Sequence, residues 1–291
     1  MKLSTFYKSH GDEVILEKGI HLSTRLFTPD IVYISCVFAD NAEASRAQAG
    51  QFPHSEVHLG GSGVDLKASL PEGIEHLMPD YGLYKLDYSM GFTSRGCIRH
   101  CPFCIVPTKE GSMRPVADIY EFWDPAHKHI VLLDNNILAL PEHFEKIASQ
   151  IKAEGLTVDF NQGLDIRLIN EENARILKSL RVRPHLRFSW DNIAIEDQVK
   201  AGITTLRAHG INRSQWYVLV GYNSTVEEDL HRLNVLKELN QRAYAMRYKT
   251  CRGQKVYDDM AAWVNQPAFF AKMTFSEFRE VRNHGRYAAT S

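Results

Sequence analysis

Six short apolar segments, separated by amphipathic stretches, constrain the fold of this chain more than any other feature of its sequence. Each segment after the first begins roughly 28 to 41 residues beyond the previous one, which is the spacing of strand–helix units. Between them, apolar residues recur three and four positions apart, as at Phe144, Ile147 and Ile151, which is typical of a helix with one buried face. Because parallel strands need such crossovers, the pattern predicts an α/β fold, a partial (βα)6 TIM-type barrel. The predicted strands are 88–93, 129–134, 157–161, 185–190, 215–220 and 243–248.

The first 79 residues carry a different pattern. An apolar run at 30–38 predicts a buried strand, the stretch 39–50 predicts a helix, and 57–60 predicts a short strand before a glycine turn. This order makes a small βαβ unit. We therefore predict three parts: a truncated Rossmann-like segment at 1–79, the partial barrel at 80–250, and a C-terminal helical extension at 251–291.

Three of the five cysteines, Cys97, Cys101 and Cys104, fall within eight residues. Thiolates this close repel each other unless a metal or cluster takes up their charge, and soft sulfur ligands favour iron–sulfur clusters, zinc or Cu(I). A cluster of four irons held by three thiolates would keep one iron open. The alternative is a zinc site that adds His100, although structural zinc sites usually take ligands from two separated pairs and the chain has no second Cys-x2-Cys.

The spacing Cys97-x3-Cys101-x2-Cys104, with Phe103 before the last cysteine, resembles the signature of the radical S-adenosylmethionine (SAM) superfamily. The resemblance implies an enzyme in which the three thiolates hold a [4Fe-4S] cluster and SAM chelates the fourth iron. It implies reductive cleavage of SAM to a 5′-deoxyadenosyl radical, which abstracts hydrogen from the substrate. A reductant such as flavodoxin or ferredoxin would supply the electron. The superfamily core is also a partial barrel of six units.

Polar residues follow several of the predicted strands, and barrel enzymes place their chemistry at these strand ends. The sequence 161–167, Asn-Gln-Gly-Leu-Asp-Ile-Arg, also resembles a motif of many radical SAM proteins. The resemblance implies contacts with the amino group, carboxylate, ribose and adenine of SAM. The candidate cofactor-binding residues are Phe103, Asp134, Asn135, Asn136, Gln162, Asp165, Arg167, Ser189, Asp191 and Gly221.

Two of these assignments have structural alternatives. Asp134 and the asparagines after it also suit the cap of a helix. Arg167 is able to bind the methionine carboxylate of SAM with two hydrogen bonds, and it is equally able to pair with Asp165. No catalytic residue is identified by the sequence.

The N-terminal segment resembles the cobalamin-binding-type module that precedes many radical SAM domains. It lacks the Asp-x-His-x2-Gly motif whose histidine ligates cobalt there, so we expect no bound cobalamin. Residues 3–10 are predicted to form the first helix, whereas related proteins usually begin with a strand before it. Either the segment is trimmed or the true start lies upstream.

Composition bears on location and partners. The formal net charge of −1 gives no overall field for nucleic acid or membrane, and no apolar run approaches the ~20 residues of a membrane span. We expect a cytoplasmic protein, because thiols beside an oxygen-sensitive cluster suit a reducing compartment. Basic and aromatic residues alternate at 242–257, which suits single-stranded nucleic acid or simply a strand.

The sequence therefore predicts a radical SAM enzyme whose substrate and reaction it does not identify. The alternatives are a zinc-binding structural or interaction protein, and an RNA-modifying member of the same superfamily.

Overall fold

The computed structural model describes residues 1–19 and 28–288 as a mixed α/β protein with parallel sheets, which confirms the predicted class. Residues 20–27 and 289–291, which fall in the predicted N-terminal and C-terminal parts, lie outside the described residues. The chain forms two compact units, Met1–Ile130 and Val131–Ser291. None of the described helices is long and apolar enough to cross a membrane.

After a first short helix, the first unit has the predicted strand–helix–strand order. Its first two strands are parallel, with Ile31 opposite Glu56 and Ser35 opposite Gly60. A second, antiparallel ladder pairs Ser94 with Pro115. The elements are α1 Lys2–Ser9, β1 Ile31–Ser35, α2 Ala42–Ala49, β2 Glu56–Gly60, α3 Glu72–Glu75, β3 Ser89–Gly91, β4 Ser94–Arg95, α4 Val106–Lys109 and β5 Arg114–Pro115.

The second unit continues the strand–helix alternation. Its first strand, β6, begins two residues before the boundary between the units. The elements are β6 His129–Leu132, α5 Pro141–Ala153, β7 Thr157–Phe160, α6 Glu171–Ser179, β8 Arg181–Val182, β9 Arg187–Ser189, α7 Glu196–Ala208, β10 Gln215–Val220, α8 Val226–Glu238, β11 Arg242–Arg247, α9 Lys255–Val264, α10 Pro267–Lys272 and α11 Phe275–Ala288.

Two groups of neighbouring strands organise this unit. β6, β7 and β8 are adjacent in that order, and β10 lies between β9 and β11 with both pairings parallel. A parallel bridge between Leu164 and Phe188 connects the chain after β7 to β9. The carboxyl ends of these strands carry the polar residues that the sequence singles out.

The core of the second unit follows from the apolar segments. One face of β10 carries the fully buried Trp216, Val218 and Val220, and Leu219 is buried on the other face. α5 buries Phe144 and Ile147 at the spacing of one helical face, as predicted. Sheet residues buried on both faces are typical of parallel strands covered by helices.

Some element boundaries differ from the prediction. The spacing of Ser224 and Glu227 predicts a capping box, but the box that begins α8 is formed one residue later, by Thr225 and Glu228. Ser224 instead donates a hydrogen bond to Asp229 Oδ1 at 2.7 Å. The sequence around Pro267 predicts the end of a helix, and α9 does end before it, at Val264. Pro267 itself lies in the first turn of α10, where a missing N–H is tolerated.

Candidate functional site

The cysteine loop, residues 96–105, lies in the first unit between β4 and α4. β4 and β5 pair on either side of it, with Arg95 opposite Arg114, so the ladder closes the base of the loop. All five cysteines of the chain are described, and none forms a disulfide. Cys97, Cys101 and Cys104 are half-buried, as is Phe103.

Gly96 explains how the chain enters the loop. Its φ of +84° lies in the left-handed region, which favours glycine. A Cβ atom there would lie 2.3 Å from the carbonyl oxygen of Ser112. Residues 111–112, just before β5, therefore pack directly against the backbone before Cys97, where only glycine fits.

Arg95 ties the two ends of the cysteine loop together. Its Nη1 donates to both carboxylate oxygens of Glu110, at 3.1 and 3.0 Å, and its Nη2 donates to Glu75 Oε1 at 2.5 Å. Its guanidinium also lies 3.9 Å from the centre of the Phe92 ring. The sequence does not predict these ion pairs, because the two glutamates are 15 and 20 residues from Arg95 and no local motif relates them to it.

Hydrogen bonds from the backbone of the loop involve all three of its cysteines. The Arg99 N–H donates to Cys97 Sγ at 3.3 Å, and the Cys104 N–H donates to the carbonyl of Cys101 at 3.0 Å. N–H donors to thiolate sulfur are a recurrent feature of iron–sulfur sites, where they tune the cluster potential.

The donor atoms of the loop fit an iron–sulfur cluster in kind and number. Their arrangement in this structure is not that of a ligand set. Within residues 1–19 and 28–288, no group of three or more His, Cys, Asp or Glu side chains is placed to hold a metal ion. Binding a cluster at Cys97, Cys101 and Cys104 would thus require the loop to rearrange.

The second unit brings together several of the predicted cofactor-binding residues at its strand ends. After β6, Asp134 and Asn136 are buried and Asn135 is half-buried. Asn136 Nδ2 donates to Asp165 Oδ2 at 3.4 Å, and the Asn161 N–H donates to the Leu132 carbonyl at 3.2 Å. The chain segments after β6 and β7 are therefore directly linked.

Asp165 and Arg167 form an ion pair after β7. Arg167 Nε donates to Asp165 Oδ1 at 2.6 Å, and Nη2 donates to Oδ2 at 3.0 Å. Of the two roles considered for Arg167, the structure shows the pairing with Asp165, and binding of a ligand carboxylate stays a prediction. Gln162 is exposed and has no contact with this pair among the described hydrogen bonds.

Asp191 follows β9 and adds a second carboxylate. Its Oδ1 accepts a hydrogen bond from the Leu219 N–H at 2.9 Å. Burial raises the pKa of Asp191, and this rise is opposed by the Leu219 N–H and by the charges of Arg232 and Arg167. We call Asn136, Asp165, Arg167 and Asp191 the strand-end group: hydrogen bonds join the first three, and the charge of Arg167 acts on Asp191. Ser189 is half-buried in β9, opposite Tyr217.

Gly221 follows β10 with a φ of +73°. A Cβ atom at this position would lie 2.6 Å from both Cβ and Sγ of Cys251 and 3.3 Å from the Tyr257 ring. Close packing of the chain after β11 therefore explains why this residue is glycine. The predicted contact with adenine stays a prediction.

The sequence analysis missed the buried charges that support these strand ends. Arg232 and Asp229, both fully buried on α8, form an ion pair. Arg232 donates to the carbonyls of Trp190 at 2.5 Å and Leu219 at 2.9 Å, and Asp229 Oδ2 accepts from the Gly221 N–H at 2.8 Å. In the sequence, this ion pair is indicated by two opposite charges, three residues apart on the apolar face of a predicted helix.

A second buried ion pair joins Asp159 of β7 to Arg187 of β9. Both side chains are only slightly exposed. Its signal in the sequence was an aspartate between Val158 and Phe160, inside an otherwise apolar strand. Buried charges in ion pairs demand partners with good geometry, so this pair fixes how β7 and β9 sit in the second unit.

Comparison with known proteins does not assign the chain. Its sequence matches no model of a known protein family and no curated protein. The function is therefore argued from the chemistry of the cysteine loop and the strand-end group.

Proposed function

We propose that this protein is a radical SAM enzyme that holds a [4Fe-4S] cluster on Cys97, Cys101 and Cys104. The observation that carries the proposal is the set of three half-buried cysteines in one loop, closed at its base by the β4–β5 ladder and free of disulfides. In the superfamily that the sequence resembles, such a cluster supplies the electron that cleaves SAM and so generates the hydrogen-abstracting radical. The substrate is not part of the proposal.

The residues around the cysteines have defined tasks in this proposal. The Arg95 ion pairs with Glu110 and Glu75 fix the ends of the loop, so that the cysteine segment is free to adjust without unfolding its base. The Arg99 N–H stabilises negative charge on the Cys97 sulfur. Thiolate, rather than thiol, is the ligand form, so binding of the cluster releases protons.

The strand-end residues are the proposed SAM contacts. Arg167 is oriented by Asp165, and its five N–H donors are enough to keep that pair and also bind a carboxylate. Asp134 is a buried carboxylate suited to an ammonium group. Asn135 Nδ2 is buried without a hydrogen-bond partner in the described part of the chain, which supports a role as a donor to a ligand.

The proposal also covers how the strands are arranged. We propose that the strands after residue 80 form a partial (βα)6 barrel. The parallel order of β9, β10 and β11 supports it, and so does the Leu164–Phe188 bridge, which continues the strand-to-strand contacts from the end of β7 to β9. Barrel chemistry at the carboxyl ends of strands agrees with the location of the strand-end group.

The proposal also carries requirements for the protein's surroundings. A one-electron donor such as flavodoxin or ferredoxin must reach the cluster, and a cytoplasmic, reducing compartment would preserve it. Cobalamin is not part of the proposed chemistry.

Iron and sulfide content of cysteine variants tests the proposal. After anaerobic reconstitution, the wild-type protein should hold about four irons and four sulfides per chain. Replacing Cys97, Cys101 and Cys104 together with alanine should remove them, whereas Cys36→Ala, which changes a buried cysteine just after β1, should retain them. Full iron and sulfide content in the triple variant would refute the proposal. Colourless protein with about one zinc per chain would favour the zinc alternative that includes His100.

A further inference from the structure

A small cavity opens in the second unit beside the first residues of β10 and β11. Its volume is about 100 Å³. Its polar lining includes Arg213, Lys237 and Arg242, and its apolar wall includes Val264 and Phe270. The strand-end group follows the opposite ends of the parallel strands. The cavity is therefore separate from the proposed SAM contacts, and it does not depend on the proposed function.

The lining of this cavity is positively charged and lacks acidic residues. Neither Arg213 nor Arg242 makes an ion pair with a carboxylate of residues 1–19 or 28–288. The positive charge of Lys237 is better stabilised, because its Nζ donates to the Met273 carbonyl at 2.5 Å and lies 5.6 Å from the centre of the Trp263 ring. The Glu277 carboxylate interacts electrostatically with Lys237 as well. That carboxylate already accepts hydrogen bonds from Thr274.

Arg242 is held in place while one of its donors is left unused. Its backbone N–H donates to the Ser214 carbonyl at 3.0 Å, and its Nη1 donates to His185 Nε2 at 2.5 Å. Its Nε is buried with no hydrogen-bond partner in the described residues. A buried donor without an acceptor is costly, so the site favours any ligand that supplies one.

His185 cannot relieve the positive charge of the site. Since arginine only donates, His185 Nε2 must accept the hydrogen bond, which requires the neutral imidazole. Burial lowers the pKa of His185, and the charges of Arg242 and Arg213 lower it further. The two guanidinium groups are therefore close enough to act on one imidazole.

We propose that this cavity is a binding site for a phosphate-sized oxyanion, held by Arg213 and Arg242. The ligand would be inorganic phosphate or the phosphoryl group of a small molecule. Guanidinium groups match the oxygens of phosphate with paired hydrogen bonds, and the apolar wall strengthens these charged contacts. The competing explanation is that the arginines only stabilise the amino-terminal ends of the strands.

Calorimetric titration of the full chain with inorganic phosphate, in a buffer low in other anions, distinguishes the two explanations. We expect saturable binding with one phosphate per chain. Arg213→Gln and Arg242→Gln should each weaken it about tenfold or more, because each removes a charge-assisted contact. Arg175→Gln changes an exposed arginine of α6 outside the cavity and should leave the affinity unchanged.

Two further measurements keep the test decisive if a glutamine variant folds poorly. Arg242→Lys keeps the charge but removes the Nε donor, so it should also weaken binding. The His185 imidazole, assigned in the NMR spectrum with His185→Gln, should titrate at higher pH when phosphate is bound, because the anion offsets the neighbouring charges. No saturable binding up to about 10 mM phosphate, or equal binding by all arginine variants, would overturn the proposal.

Discussion

The Asp165 carboxylate orients the Arg167 guanidinium through a two-point ion pair, with Nε–Oδ1 at 2.6 Å and Nη2–Oδ2 at 3.0 Å. The same carboxylate accepts from the Arg167 backbone N–H at 3.2 Å and from Asn136 Nδ2 at 3.4 Å. Asp165 is therefore the central acceptor of the strand-end group. A ligand bound by Arg167 would meet a guanidinium whose direction is already set.

Asp165→Asn tests this positioning role. The variant keeps an oxygen acceptor but loses the charge, so Arg167 should lose part of its orientation. We expect the affinity of the reconstituted protein for SAM to fall about tenfold, and the free energy of unfolding to fall by about 1 kcal/mol. Isothermal titration with SAM and urea denaturation measure the two effects.

Glu171→Gln is the matched control for Asp165→Asn. It makes the same change of carboxylate to amide at an exposed residue of α6, whose partner is His209. Its effect on SAM affinity should be undetectable. Unchanged affinity in Asp165→Asn would remove Asp165 and Arg167 from the proposed SAM contacts.

The buried ion pair of Arg232 with Asp229 should matter more for stability than any surface pair. Arg232→Met leaves the Asp229 charge buried and also removes the donors to Trp190 and Leu219. We expect the free energy of unfolding to fall by about 3–5 kcal/mol. Lys200→Met removes an exposed pair with Glu196 and should leave the free energy of unfolding nearly unchanged. Equal losses in chemical denaturation would contradict the supporting role of Arg232.

Substituting alanine for two glycines of similar backbone conformation distinguishes the energetic cost of steric contact from that of backbone strain. Gly221 and Gly253 have φ values of +73° and +80°, but only at Gly221 would an added Cβ atom have neighbours within 4 Å, those of Cys251 and Tyr257. Gly253→Ala should therefore cost about 1 kcal/mol of unfolding free energy from strain alone. Gly221→Ala should cost about 2–4 kcal/mol, since overpacking is added. Thermal unfolding compares them, and equal costs would mean that the packing at Gly221 is loose.

Asp191 should make stability depend on pH. Burial raises its pKa in the folded state, so its contribution to stability is greatest below the ordinary aspartate pKa and is lost as pH rises through the raised value. Asp191→Asn keeps an acceptor for the Leu219 N–H and no longer titrates. At neutral pH it should be more stable than the wild type, and this difference should shrink on acidification.

The control for Asp191→Asn is Glu145→Gln, at an exposed position of α5. Its difference from the wild type should stay flat across the same pH range in urea titrations. The stability difference between Asp191→Asn and the wild type could instead be absent at neutral pH, or grow as pH falls. Either result would show that burial does not determine the direction of the Asp191 pKa shift.

Much of the fold was predictable because the pattern is local. The predicted strand 215–220 has the same two ends as β10, because its apolar and β-branched residues form one uninterrupted run. β9 was predicted at 185–190 but spans Arg187–Ser189, because its ladder with β10 covers only Gln215–Tyr217. Ladder length depends on the partner strand, which local pattern does not reveal.

The candidate site was predictable in part for the same reason. The polar residues at the strand ends were identified from their position after apolar runs. Their partners were not, because Asp229, Arg232 and Glu75 lie on other elements and only the fold brings them close. The cysteine spacing likewise predicts the kind of donor atom. It does not determine how the three sulfurs are arranged before a cluster binds.

The most direct test of the central claim is electron paramagnetic resonance of the anaerobically reconstituted, dithionite-reduced protein, recorded with and without SAM. The account predicts a reduced-cluster signal that depends on Cys97, Cys101 and Cys104 and changes when SAM is added, because three thiolates leave one iron open to it. A protein that holds zinc and gives no cluster signal, or a signal that SAM does not alter, would contradict it.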